Sequence, residues 1–318
     1  MYVGIDLGGT QLRVGVADGY GRLRTVLRRP TNAKQGREHV IDALVAGVKD
    51  ALAGDGTRPA SVRALGIGLP GPLDPARGVV ISPPNLPGFI DVPLNKILSR
   101  RLGIRSYLHH DAHLAAFAEY RLGAARGARD LVYVTVSTGI GAGLILDGKL
   151  YSGAHGMAGE VGHIVVQANG PLCTCGNRGC VEALASGTGI ARAARELAPQ
   201  QPRSGLHGVE TPTAADVVRA ARREDDLALH ILDAAGTALG IAMGTLVNLF
   251  NPELIVLGGS VVNAGALLLS PMRRSMDASS WKAARRGLRI VKPALGPDVG
   301  LIGAVEYARL RARHAGTD

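Results

Sequence analysis

The sequence predicts an α/β protein built from two related domains, on three observations. Residues 3–27 read as strand, turn, strand, turn, strand around Ile5-Asp6-Leu7-Gly8-Gly9-Thr10 and the Asp18-Gly19 pair. Val132 to Tyr151, VYVTVSTGIGAGLILDGKLY, repeats that grammar, with Thr138-Gly139-Ile140-Gly141 at the first turn and Asp147-Gly148 at the second. Each run then gives way to helical-period segments and buried strands. Asp-Gly between alternating apolar residues is a hairpin signal, and self-similarity along a chain is the mark of a repeated unit. Aligning the two Asp-Gly turns sets Gly9 opposite Thr138 and Thr10 opposite Gly139.

The bulk properties agree with a folded enzyme-sized chain. It has 318 residues, 46% of them hydrophobic, enough for a large core and far from a disordered composition. The formal net charge is +10, yet aromatic residues are only 3%, leaving few platforms on which bases could stack. The arginines are scattered, apart from a denser stretch between Arg273 and Arg289, so the charge reads as a solvated basic surface and no nucleic-acid partner is expected. The chain starts with the strand-like Tyr2-Val3-Gly4-Ile5 without a basic, then apolar, leader, and its three cysteines sit together in one loop. Both features predict a cytoplasmic, reduced protein.

Taken in order, the first turn has Gly8 and Gly9, where backbone N–H groups can approach an anion, and the Thr10 hydroxyl. Asp6 beside it can hold a phosphate-bound Mg²⁺ through water. A plain hairpin with a polar tip fits one such motif about as well, and the second copy at Thr138-Gly139 raises the reading of two turns gripping one nucleotide. Val40, Ile41, Leu44, Val45 and Val48 recur at helical spacing within 37–53. Val62 to Leu69 reads as a buried strand ending at Pro70-Gly71-Pro72, and Ser82 to Phe89, SPPNLPGF, is a proline-stiffened loop that displays Asn85. A short helix, Leu94 to Leu102, stops at Gly103; a strand, Ile104 to His109, leads to Asp111 at the head of an amphipathic helix, Ala112 to Leu122. Asp is a preferred N-cap, and a carboxylate at a strand end is also well placed to take a proton from a hydroxyl.

Beyond the second hairpin, Ala185 to Ala198 is a helix, Thr213 to Ala221 a short helix with a Thr-x-x-Asp cap, and Leu227 to Leu249 a long apolar helix read as core rather than membrane-spanning. Gly236, Gly240 and Gly244 line one face of it and predict close packing against another backbone. Asn251-Pro252 ends it. A buried strand, Leu254 to Leu257, runs into Gly258-Gly259-Ser260, a third turn open to phosphate or adenosine, and Ile290 to Pro293 is a last short strand.

The densest chemistry lies in GAHGMAGEVGHIVVQANGPLCTCGNRGCVE, Gly153 to Glu182. Cys173 and Cys175, one residue apart, send both sulfurs to one side of an extended backbone, and Gly176 and Gly179 permit the turn that returns Cys180. With His163 as the fourth ligand this is a closed, structural zinc site. Glu160 and Glu182 on the same loop suit a polyhydroxylated ligand.

These motifs resemble the ROK (repressor/open reading frame/kinase) family of sugar kinases. The similarity lies in Gly159-Glu160-Val161-Gly162-His163, Cys173 through Glu182, Asp6-x-Gly-Gly-Thr10, Pro84-Asn85-Leu86-Pro87-Gly88 before Phe89, Asp111-Ala112, and Leu257-Gly258-Gly259, in the family's order along the whole chain. The resemblance implies a duplicated actin-like, hexokinase-like (ribonuclease H-like) ATPase fold with a cleft between domains, 1–110 joined by the C-terminal helix 301–318, and 111–300 with the zinc loop. It implies ATP-dependent phosphorylation of a hexose, glucose first, with Asp111 as general base. Gly71, Asn85, His110, Glu160, His163 and Glu182 are then the sugar contacts. Asp6, Gly8, Gly9, Thr10, Thr138, Gly139, Gly258 and Gly259 line the nucleotide site, with Mg²⁺ on the ATP and zinc on His163, Cys173, Cys175 and Cys180. A homodimer or homotetramer is expected. The chain departs from the family's Asn-Asp-Ala-Asn at His110-Asp111-Ala112-His113, which keeps the base and leaves the fine sugar preference open. N-acetylmannosamine, N-acetylglucosamine, mannose or fructose as acceptor, and polyphosphate as donor, are the alternatives. A sugar-responsive transcriptional regulator is the lesser alternative: DNA-binding members of the family carry a winged helix ahead of the first glycine motif, and with that motif starting at Asp6 none is expected here.

Overall fold

A computed structural model describes residues 1–314, and the chain divides into two compact units. The first comprises Met1–Gly127, Gly143–Ala158 and the chain from Pro293; the second comprises Ala128–Ala142 and Gly159–Lys292.

In the first unit, β1 (Tyr2–Leu7), β2 (Gln11–Ala17) and β3 (Leu23–Pro30) form an antiparallel meander, followed by α1 (Arg37–Asp55) and β4 (Ala64–Leu69). A small hairpin, β5 (Leu73–Asp74) and β6 (Val79–Val80), precedes α2 (Leu94–Leu102), β7 (Ser106–His110) and α3 (Asp111–Leu122). The sheet order is β3-β2-β1-β4-β7, with β1, β4 and β7 parallel. β4 is buried along its whole length, as a parallel strand covered on both faces must be. α1 buries Val40, Ile41, Leu44, Val45 and Val48, the predicted helical stripe.

The next elements are β8 (Leu131–Val136), β9 (Ile140–Leu146), β10 (Lys149–Tyr151), α4 (Val181–Ala185), α5 (Gly187–Leu197), α6 (Ala214–Ala221) and α7 (Asp226–Phe250). Then come β11 (Leu254–Gly258), α8 (Ala266–Ser279), β12 (Arg289–Val291) and α9 (Val299–His314). The second sheet runs β10-β9-β8-β11-β12, with β8, β11 and β12 parallel. Strand for strand this is the order of the first sheet, so the repeated hairpin grammar does mark a repeated fold. The division between units falls inside β9.

α9 packs in the first unit. Val305 and Ala308 join a core with Tyr2, Ala17 and Ala64, and Ala304 and Tyr307 meet Leu114 of α3. α3 lies in the first unit, whose first segment runs from Met1 to Gly127. The last four residues of the expected 301–318 helix lie outside the described residues.

In the second unit α7 is long and apolar enough to cross a membrane, but 67% of its most apolar window is buried. Its glycine stripe lies against α8: a Cβ at Gly240 would stand 2.3 Å from the Met272 carbonyl oxygen, and one at Gly236 would strike Pro271. The helix ends at Asn251, in the left-handed region with φ 43°. The Thr213–Asp216 capping box opens α6 as its spacing predicts.

Candidate active site and metal centre

The predicted residues of the first unit gather at the ends of β1, β4 and β7. The β1–β2 turn is closed by the Gly8 N–H donating to the Gln11 carbonyl at 2.9 Å. Buried Thr31 braces it from β3's end, its Oγ1 donating to the Gly8 carbonyl at 2.6 Å and its N–H to the Thr10 carbonyl at 2.9 Å. Gly9 faces the proline-stiffened loop, where an added Cβ would stand 3.0 Å from the Asn85 carbonyl oxygen. Asn85 is exposed, while Leu86 and Phe89 beside it are buried and anchor the loop. Gly71 lies between β4 and β5, joined to Pro72 by a cis peptide bond.

Asp6 lies at the end of β1 with its carboxylate 3.5 Å from the Arg13 guanidinium. Burial pushes its pKa up to about 6; the neighbouring Asp111 charge adds to the rise and Arg13 offsets part of it. Arg13 itself donates to the Pro297 carbonyl at 2.6 Å and to Gln11 Oε1 at 2.8 Å.

Asp111 is the first residue of α3, and the N-cap position is taken by His110. The Asp111 side chain is 41% exposed, so its carboxylate is not spent on burying a helix end. Its Oδ1 accepts the Ala112 N–H at 2.6 Å. Below it His109 and His113 are buried; His109 Nε2 lies 3.1 Å from Ser152 Oγ and His113 Nε2 lies 2.6 Å from the Ala158 carbonyl. Burial drives the His109 pKa well below the ordinary histidine value and that of His113 down to about 4.

In the second unit Glu182, in the first turn of α4, reaches the β8–β9 turn and accepts the Ile140 N–H at 2.8 Å. A Cβ at Gly139 would stand 2.5 Å from that carboxylate, so the Thr138-Gly139 turn and Glu182 are brought together. The Gly258-Gly259 turn joins them: Gly259 has φ +99°, a Cβ there would lie 2.2 Å from the Val136 carbonyl oxygen, and the Ser260 N–H reaches Ser137 Oγ at 3.2 Å. Only glycine fits such a position. Sequence reasoning missed the third partner of this cluster, the head of α5. There Thr188 Oγ1 donates to the Thr138 carbonyl at 2.9 Å and the Gly187 N–H to the Ser137 carbonyl at 2.7 Å. Ser186-Gly187-Thr188-Gly189 ahead of a helix was its signal.

The cysteine loop folds as predicted. Gly176 and Gly179 adopt positive φ, and the Cys173 N–H donates to the Asn177 carbonyl at 2.8 Å, closing the knuckle. One ligand atom each from His163, Cys173, Cys175 and Cys180 lies within 4.8 Å of the others. Cys173 Sγ is 3.7 Å from His163 Nδ1, and Cys175 Sγ is 3.7 Å from Cys180 Sγ. Zinc–sulfur bonds of about 2.3 Å at tetrahedral angles give edges of about 3.8 Å, so this donor set fits zinc. His163 turns Nε2 the other way, 3.9 Å from Glu160 Oε2.

Comparison with known proteins places the fold in one class. The ROK family profile matches residues 2–310, and the chain belongs to the ROK family. Among its relatives, the glucokinase of Thermotoga maritima is 34% identical over 313 residues, covering 97% of each chain. The ROK hexokinase of Thermus thermophilus superposes with a TM-score of 0.82 at 36% identity, over 98% of this chain and 99% of that one. A ROK family glucokinase from Streptomyces griseus, solved with glucose and AMPPNP, superposes with a TM-score of 0.82 at 33% identity over 97% and 99%. The two matching five-stranded sheets are thus those of the actin-like ATPase fold.

Proposed function

We propose that this protein transfers the γ-phosphoryl group of ATP to glucose, giving glucose 6-phosphate. The observation that carries the reading is Asp111 at the mouth of a parallel sheet, half-exposed, with one oxygen tied to the backbone and Asp6 and the Gly8-Gly9 turn in the same unit. It stands in a chain whose relatives along its full length include glucokinases and a ROK hexokinase.

In this reading Asp111 orients the sugar hydroxyl and takes its proton as the new oxygen–phosphorus bond forms. Asn85, Glu160, His163 and Glu182 hold the remaining hydroxyls, with Gly71 at the sugar's edge. Backbone N–H groups at Gly9, Thr138, Gly139 and Gly259, with the Thr10 hydroxyl, take the phosphates, and Gly8 and Gly258 shape the turns so that the main chain can approach. Asp6 faces the Mg²⁺ that neutralises phosphate charge. His163, Cys173, Cys175 and Cys180 hold a zinc ion whose part is bracing: it fixes the loop that displays Glu160 and sets His163 Nε2–H toward the ligand. A cytoplasmic dimer or tetramer completes the proposal.

The test is ADP release with ATP and Mg²⁺ over a panel of glucose, mannose, fructose, N-acetylmannosamine and N-acetylglucosamine, with polyphosphate as a second donor. Glucose with ATP is expected to give the highest kcat/KM, and Asp111→Asn to lower kcat by about 10²–10⁴-fold. Absence of turnover with every sugar, or full activity of Asp111→Asn, would refute the reading.

A further inference from the structure

The residue that precedes Asp111 is placed to act on it. His110 ends β7, and its Nδ1 lies 3.1 Å from Asp111 Oδ1. The Ala112 N–H lies 2.6 Å from the same oxygen and 3.3 Å from His110 Nδ1. The three contacts cannot all be hydrogen bonds at once, and the two shorter ones to Oδ1 set the proton assignment. The Ala112 N–H bonds to the nearer acceptor, the carboxylate. A ring nitrogen 3.1 Å from a carboxylate oxygen carries hydrogen, because two lone pairs facing at that distance repel. Nδ1–H of His110 therefore donates to Oδ1.

The neighbours hold the ring in that role. The His110 N–H donates to His109 Nδ1 at 2.9 Å, so the proton of His109 is on Nε2, toward Ser152. The His113 ring stands 5.2 Å from that of His110, with its own proton on Nε2 toward the Ala158 carbonyl. Burial keeps both rings neutral at physiological pH. The charged groups that act at this end of the sheet include Asp111 itself, Asp6 with its partner Arg13, Asp298 near Asp6 and Arg311 near His109.

We propose that His110 is a positioning residue for phosphoryl transfer: with the Ala112 N–H it occupies Oδ1 of Asp111 and leaves Oδ2 as the oxygen that meets the sugar hydroxyl. This role presupposes Asp111 as general base. In the step, the hydroxyl oxygen bonds to the γ-phosphorus as the bond from that phosphorus to the β–γ bridging oxygen breaks. The electron pair of the broken bond leaves on ADP. The hydroxyl proton passes to Oδ2, and His110 keeps its own proton throughout. An asparagine amide at 110 also offers an N–H donor, so His110→Asn is the conservative variant.

The experiment measures kcat and separate KM values for glucose and ATP, with melting temperatures, for wild type, His110→Ala, His110→Phe, His110→Asn, Asp111→Asn and the His110→Ala/Asp111→Asn double variant. Loss of the donor, by alanine or by the space-filling phenylalanine, is expected to lower kcat about 10–100-fold with the glucose KM within about threefold of wild type. Phenylalanine carries the test if the alanine variant does not fold. Asparagine is expected to restore kcat to within about threefold, and removing His110 on the Asp111→Asn background to cost nothing further. A raised glucose KM at unchanged kcat would make His110 a sugar contact and overturn the proposal. So would an equal loss of kcat on the Asp111→Asn background. Wild-type kcat in Asp111→Asn alone would instead remove the general base, a failure distinct from that of His110.

Discussion

Asp6 shows what a buried carboxylate costs the fold. Burial and the Asp111 charge raise its pKa to about 6, although Arg13 stands 3.5 Å away. A carboxyl whose folded pKa exceeds its unfolded one binds its proton more tightly when folded. Its contribution is fully present below the unfolded pKa near 4 and is lost as pH rises through about 6. At pH 7.5 the ionised group therefore destabilises the protein, by about 1–3 kcal/mol. Asp6→Asn is expected to raise the melting temperature by a few degrees at pH 7.5 without Mg²⁺, to give no gain at pH 4, and to lose activity at both. Calorimetry at the two pH values checks this, and a lower melting temperature at pH 7.5 would contradict it. The turn beside Asp6 was legible because Asp-x-Gly-Gly-Thr is contiguous. Arg13 and Thr31 were not, since what they do depends on Pro297 and Gly8, partners that spacing along the chain does not reveal.

Among the elements, α3 carries a second buried carboxylate with an opposite purpose. Glu119 is fully buried and accepts backbone N–H groups from Ala124 at 2.7 Å, Ala294 at 3.0 Å and Leu295 at 2.9 Å. It ties the end of α3 to the segment that leads into α9, and both its oxygens are needed as acceptors. Glu119→Gln turns an amide N–H toward one of those donors, so it is expected to destabilise the fold by about 2–4 kcal/mol. Urea titration of the two proteins measures this, and a midpoint unchanged by the substitution would show that the three contacts are not stabilising. Nothing in the local pattern of α3 distinguishes Glu119 from a surface glutamate. The repeated hairpins, by contrast, carried three of the five strands of each sheet, because Asp-Gly turns and period-two alternation are local signals. The helix α8 was not foreseen: Pro271 lies inside it, and its stability comes from packing on the α7 glycine face rather than from its own residues. That same stripe in α7 was readable, since three glycines four residues apart have few other uses in a buried helix.

For the molecule as a whole, the second unit depends on a loop that has almost no core of its own. Between Ala168 and Arg178 only Gly170 and Cys173 are buried, and Leu172 is 61% exposed. Apolar burial cannot hold eleven such residues against the chain entropy of ordering them, about 1–2 kcal/mol each for the backbone alone. Four ligands converging on one ion can, because metal binding to a site absent from the unfolded chain is folding free energy. The purified protein is therefore expected to contain one zinc per chain by elemental analysis. Extraction with a strong chelator should lower the melting temperature and open the Ala168–Arg178 segment to protease. It should also raise the glucose KM about tenfold or more while the ATP KM changes little, since Glu160 and His163 ride on this loop and the glycine turns do not. Zinc should reverse all three changes and Mg²⁺ none. Metal-free protein with an unshifted melting temperature and an intact loop would mean that backbone bonds such as Cys173 to Asn177 suffice, and that the four ligands brace nothing.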